Sequence, residues 1–276
     1  MNFHERLRDP RPLIMGILNV TPDSFSDGGL FADEEHAAAY ALKMIENGCD
    51  IVDVGGESTR PGSKRISADE QIRRTRGVIE WLRRHIPPHV AISIDTTLPE
   101  VAKQALDAGA NILNDVHGGS DPGMLELAAQ RSVPLVLMHM QGTPETMQVN
   151  PTYKDVVAEV QEYLLHRAAH AERAGIARAQ IVIDPGIGFG KTTEHNLALL
   201  NALPRFVATG YAVLLGTSRK RFMGSICNEA EPRELLGATC ATTALGVAAG
   251  VRIFRVHDVK ANRQAADVAW AIHRAA

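Results

Sequence analysis

Asp95, Asn114 and Asp184 are short acceptor side chains, and each lies at the end of an apolar run: ISID, NILND and IVID. Near-continuous apolar runs are the mark of parallel strands covered on both faces. A carboxylate in such a place needs a partner or a use. Short acceptors converging from non-adjacent strands suit a flat ring with several N–H donors, such as the amino-pyrimidinone edge of a pterin or guanine. A second chemistry sits near the end of the chain. Arg255 and His257 are two residues apart, hence on one face of a strand, and Lys220 follows the preceding run. Three cations there predict an anionic group on the ligand.

Those residues need elements to carry them. Apolar runs at 13–20, 50–56, 91–96, 112–116, 134–140, 181–185, 212–217 and 253–257 read as strands. Helical stretches between them include 34–47, 98–108, 153–174, 236–249 and 260–274. Gly48, Gly109, Gly175, Gly210 and Gly250 each stand between a helical stretch and a strand, where a left-handed closing residue is required. Alternating βα units over about 250 residues predict an α/β protein, a (β/α)8 TIM barrel. The rival fold is a doubly wound open sheet, which usually has fewer strands and a clear switch point. One domain is expected over 1–276, its core about 13–274.

A TIM barrel gathers chemistry at the C-terminal ends of its strands. Every run here delivers polar groups to that rim: Asn19, Asp53, Asp95, Asn114 with Asp115 and then His117, His139, Asp184, the Ser218–Arg219–Lys220–Arg221 stretch, and Arg255 with His257. A single buried Asp is as readily a cap or a satisfied core partner as a functional group; coincidence across all the strands is not. The loops after the seventh and eighth strands are the usual phosphate site of this fold. Long Gly-, Ser- and Pro-rich loops after the first two strands read as mobile covers.

Composition excludes several classes. Of 276 residues, 45% are hydrophobic, enough for a large core, and the net charge of −3 points to neither nucleic acid nor an anionic membrane. The 3 cysteines include no Cys-x-x-Cys pair, which fits a reduced compartment. No apolar run approaches the roughly 18 residues of a membrane span, and the start MNFHERLRDPRP is no signal peptide. A soluble, cytoplasmic protein is expected.

Some signals are set aside. DPGIGFGKTT has Pro185 where a phosphate-binding loop needs Gly, and its glycines miss the dinucleotide spacing. His166 and His170 are four apart on a helical stretch without a third ligand, so they read as a solvated face. His117, His139 and His257 suggest a metal-dependent barrel hydrolase, but the first strand lacks a His-x-His pair.

The ordered segments MGILNVTPDSFSDGG, DVGGESTRPG, SIDT, NDV, LMHMQG, DPGIGFGK, GTSRK and RVHDVK resemble the signature blocks of the dihydropteroate synthase family, over about residues 13–260. The resemblance implies condensation of 6-hydroxymethyl-7,8-dihydropterin diphosphate with p-aminobenzoate in folate biosynthesis. It implies that Asp95, Asn114, Asp184 and Lys220 bond the pterin, with Met138, Phe189 and Gly216 lining its slot. Asn19 would hold the Mg2+ that accompanies the diphosphate, while Arg60, Arg255 and His257 contact diphosphate oxygens. Phe25, Thr59, Pro61 and Arg221 would form the p-aminobenzoate site; Arg221 departs from the Ser that some members carry there. A homodimer through barrel helices and a sulfonamide target are implied too.

The chemistry fits the residues. Mg2+ and cations at Arg255 and His257 would make diphosphate a good leaving group, and departure would leave a ring-stabilised cation that Asp95 and Asp184 favour. An arylamine then needs position more than a base. This is an SN1-like substitution with Asp95, Lys220, Asn19, Arg255 and His257 as its catalytic set. A methyltetrahydrofolate-dependent methyltransferase should lack the Arg255/His257 site and the cover loops, and a paralogue without turnover could have lost Asn19, Arg60, Lys220 or His257.

Overall fold

The computed structural model describes residues 6–7, 9–20, 29–58, 62–63 and 65–275. Eight parallel strands close on themselves in chain order. They are β1 (Leu13–Asn19), β2 (Ile51–Gly55), β3 (Ala91–Asp95), β4 (Ile112–Asp115), β5 (Leu135–Met138), β6 (Ile181–Asp184), β7 (Ala212–Leu215) and β8 (Ile253–Val256). Closure is carried by β1, which pairs with β2 through Met15 and Ile51 and with β8 through Leu13 and Ile253. That rules out the open doubly wound sheet.

The principal surrounding helices are α1 (Gly29–Glu46), α2 (Ala68–His85), α3 (Pro99–Ala108), α4 (Pro122–Arg131), α5 (Val156–Arg173), α6 (Thr193–Asn201), α7 (Leu203–Val207), α8 (Arg221–Cys227), α9 (Leu236–Ala248) and α10 (Val259–Arg274). Their boundaries have local causes. The Asp155 side chain accepts from the amides of Val157 and Ala158, so α5 starts later than the helical pattern from 153 predicts. Gly48, Gly109, Gly175, Gly210 and Gly250 all have positive φ, between 79° and 114°.

Apolar packing falls into two layers. Outward residues such as Ile14, Leu18, Ile92 and Phe254 meet the helices. Inward residues Met15, Ile51, Ala91, Ile112, Val136, Val182, Leu214 and Ile253 form a separate cluster inside the barrel. Side chains alternate along a strand, so the next inward positions above this floor are Ile17, Asp53, Ser93, Asn114, Met138, Asp184, Gly216 and Arg255. Most of the polar candidates share that parity and sit just above a dry floor. No helix among the described residues is long and apolar enough to cross a membrane.

Candidate functional site

The inward residues open into a cavity of about 910 Å3 at the C-terminal mouth, lined by Asn19, Asp95, Asn114, Asp184, Lys220 and His257. Met138, Phe189, Gly216, Arg221 and Arg255 also line it. The site residues expected from the sequence therefore converge wherever they are described. Phe25, Thr59, Arg60 and Pro61 lie outside the described residues.

One wall is a buried charge ladder. Arg255 donates from Nε to Asp53 Oδ2 and from Nη2 to Asp95 Oδ2, each at 2.7 Å. Asn114, which also lines the cavity, donates from Nδ2 to Asp53 Oδ2 at 3.2 Å. The sequence grouped Arg255 with the diphosphate cations, but two of its nitrogens are committed to this floor. Burial pushes the Asp95 carboxyl well above the usual carboxylate range, and Arg255 draws it back. Asp53 was seen in the sequence without a role; its partner Arg255 is 202 residues away, a pairing that no local spacing encodes.

On the opposite wall Asp184 is raised by burial and lowered by Lys220. The amide of Gly186 donates to Asp184 Oδ1 at 2.7 Å. Lys220 is brought down to about 8 by burial. Its ammonium hydrogen-bonds the Ile187 carbonyl and lies 4.6 Å from the Phe189 ring centroid. Two cations and two inward carboxylates thus border a slot with Phe189 and Met138 in its lining, suited to a flat ring with N–H donors.

Farther out, the His257 amide donates to Ser218 Oγ at 3.1 Å, and His257 Nδ1 lies 3.0 Å from the same hydroxyl. Arg219 has a left-handed backbone, φ 59°, and grips Asp258 through two nitrogens at 2.7 and 3.0 Å. That pair fastens the turn after β7 to the start of α10, presenting Lys220 inward. His139, a candidate rim ligand, is instead buried against Lys191. His166 and His170 face each other at 3.2 Å on an exposed stretch of α5.

No group of three or more His, Cys, Asp or Glu side chains able to hold a metal occurs among the described residues. Asn19, half-buried at the end of β1, offers one neutral side-chain oxygen at the cavity wall. Mg2+ commonly binds through few protein ligands, several waters and substrate phosphates. A lone amide oxygen beside a cationic mouth fits an ion that arrives with a diphosphate.

Residues 15–257 match the family of pterin binding enzymes. The chain is 46% identical over 249 residues to a dihydropteroate synthase of Escherichia coli, covering 90% of this chain and 87% of that protein. The chain belongs to the dihydropteroate synthase family. A synthase of Synechocystis is 44% identical over 265 residues, covering 96% of this chain and 91% of its own length. Among solved structures, a Xanthomonas albilineans dihydropteroate synthase with 4-aminobenzoic acid superposes with a TM-score of 0.90 at 44% identity, over 96% of this chain and 94% of that one. A Yersinia pestis dihydropteroate synthase in complex with a sulfonamide drug reaches a TM-score of 0.90 at 39% identity, over 96% and 95%.

Proposed function

We propose that this protein joins the hydroxymethyl carbon of a dihydropterin diphosphate to the amine of p-aminobenzoate, giving dihydropteroate and diphosphate for folate biosynthesis. The observation that carries the reading is the pair of inward carboxylates, Asp95 and Asp184, each beside a cation at the wall of one cavity. A relative bound to 7,8-dihydropteroate, 41% identical with a TM-score of 0.86 and covering 96% of this chain and 95% of its own, supports it.

In this reading Asp95, Asn114 and Asp184 accept from the ring N–H groups, and Lys220 bonds a ring acceptor above Phe189. His257 and Arg60 bind diphosphate oxygens, with Arg255 reaching them beyond its ion pairs. Asn19 would hold the Mg2+ that comes with the substrate, and that ion would neutralise part of the leaving group's charge. The carbon–oxygen bond breaks, and its electron pair leaves with the diphosphate. Asp95 and Asp184 stabilise the resulting cation through fixed charge. Arylamine nitrogen then attacks the carbon, and the resulting ammonium gives its proton to water. Phe25, Thr59, Pro61 and Arg221 form the amine's subsite.

We further infer a cytoplasmic homodimer. The exposed apolar residues Leu245 on α9 and Val268 and Ile272 on α10, each more than 60% accessible, support pairing through those helices; sedimentation equilibrium tests it. The activity is tested by incubating the protein with the pterin diphosphate, Mg2+ and p-aminobenzoate and assaying diphosphate and dihydropteroate together. Methyl transfer from methyltetrahydrofolate to a corrinoid protein, or pterin binding without turnover, would replace this reading.

A further inference from the structure

We propose that Asp53 is a positioning residue for the condensation: it orients Arg255 and Asn114 through hydrogen bonds and leaves the slot floor with a surplus negative charge that favours the cationic transition state. This rests on the dissociative reaction described above. Asp53 sits one inward step above Ile51 in β2, with 0% of its surface accessible, and it does not line the cavity. Its Oδ2 takes hydrogen bonds from Arg255 Nε at 2.7 Å and Asn114 Nδ2 at 3.2 Å. Its Oδ1 has no protein hydrogen-bond partner among the described residues.

Such an oxygen is costly to bury, and folded proteins keep few of them. Ser93, paired in register with Asp53 across β2 and β3, also has a buried Oγ without a hydrogen-bond partner among the described residues. An apolar pair of similar volume would often serve stability as well as a buried ion pair, so stability alone does not account for the carboxylate.

Charge counting gives a reason. Arg255 lies between Asp53 and Asp95. With Asp95 alone, the guanidinium would make a neutral pair at the slot. With Asp53 added and Asp95 in its carboxylate form, the group carries one net negative charge in a low-dielectric floor, where charge acts strongly and needs no reorganisation as the cation forms. The same carboxylate receives the Asn114 amide N–H, which turns the Asn114 carbonyl oxygen toward the ring donors. Asp53 therefore acts on the reaction through two residues that face the slot.

The test compares Asp53→Asn, which keeps the shape, with Asp53→Ser, which keeps a small hydrogen-bonding group; both remove the charge. Three quantities are read in variants that retain the wild-type far-UV spectrum: kcat, the KM for p-aminobenzoate, and scrambling of 18O from the bridging to the non-bridging positions of the pterin diphosphate without amine. Scrambling reports reversible carbon–oxygen cleavage. We expect kcat and the scrambling rate to fall together by roughly tenfold or more in whichever variant folds, with the p-aminobenzoate KM within about twofold of wild type. An Asp53→Asn enzyme with kcat within about twofold of wild type overturns the proposal, as does a variant whose KM rises while scrambling holds. Turnover by the wild type with no scrambling overturns the dissociative step and this inference with it. Absence of wild-type turnover instead sinks the functional reading itself.

Discussion

Lys191 Nζ stands 3.0 Å from His139 Nδ1 and 2.9 Å from the Phe189 carbonyl, so one ammonium joins the loop after β5 to the loop after β6. Burial brings this lysine down to about 7. Phe189 borders the slot from the loop it secures, and Asp184 ends the strand before that loop. Replacing Lys191 with Met would leave the Phe189 carbonyl without this donor, at a cost of about 1–3 kcal/mol per stranded group. Removal of a buried ammonium offsets part of that loss. We expect the variant to fold and its affinity for a pterin lacking the diphosphate to drop about tenfold. The KM for p-aminobenzoate should barely change. Titration calorimetry with that pterin checks it, and unchanged affinity would free the slot from this tether.

His139 gives the same cluster a pH signature. Burial, with help from Lys191, pushes its imidazole from 6.5 down to about 3, so it is neutral in the folded protein. As pH falls below 6.5 the unfolded chain takes up the proton first, and stability is lost between about 6.5 and about 3. His139→Gln removes that dependence along with its contacts. Urea midpoints of the two proteins should differ most near pH 7 and converge toward pH 4.5. A constant gap across that range would contradict a buried, neutral His139.

The barrel and the cavity-facing positions of the site were legible in the sequence because a period of two carries them. Asn114, Met138, Asp184, Gly216 and Arg255 each stand two residues beyond an apolar floor residue, so parity alone aims them inward. Gly48 and Gly109 marked the helix ends because their positive φ values suit little else. Asp53 and Lys191 were not legible as working residues. The first depends on an arginine at the other end of the chain, and the second is turned inward by a loop whose Gly186, Gly188 and Gly190 all have positive φ. Read as a string, Gly-Lys-Thr looks like a phosphate motif; read in the fold, its lysine is a buried tether.

That loop admits no side chain where it crosses its neighbour. A Cβ on Gly186 would lie 1.9 Å from the His139 carbonyl oxygen, on a backbone with φ 65°. Gly62 has φ 82° but nothing among the described residues within 4 Å of its Cβ position. Gly62→Ala should therefore cost only the left-handed backbone strain, about 1–2 kcal/mol. Gly186→Ala adds a backbone clash and should cost several kcal/mol, with much of the protein insoluble. Equal melting temperatures for the two variants would contradict the close crossing of these loops.

Asn19 is the test of the divalent ion. Its single oxygen at the mouth of β1 would add one ligand to a metal held mainly by diphosphate and water. Asn19→Ala should raise the Mg2+ concentration needed for half-maximal rate by about tenfold, while affinity for the pterin lacking the diphosphate stays within about twofold. Chelation should abolish turnover by the wild type, and added Mg2+ should restore it. A variant with the wild-type Mg2+ dependence would take Asn19 out of that role.

Asp95 borders the cavity on one side and meets Arg255 on the other, so its charge can be removed without emptying its place. In Asp95→Asn the amide fills the same volume, and Arg255 keeps its ion pair with the fully buried Asp53. The melting temperature should stay within a few degrees of wild type. Turnover should fall by about 100-fold or more, the scale on which a lost fixed-charge contact to a transition state is felt. Burial raises the Asp95 carboxyl to about 7, and the useful form is the carboxylate. Wild-type kcat/KM for the pterin diphosphate should therefore decline as pH falls through that region, far above the range of an ordinary aspartate. The residual rate of Asp95→Asn should lack this decline, since no proton can be added at that position. Matching pH–rate profiles for the two enzymes would move the acid limb to another group, and near-normal kcat in the variant would remove Asp95 from the mechanism.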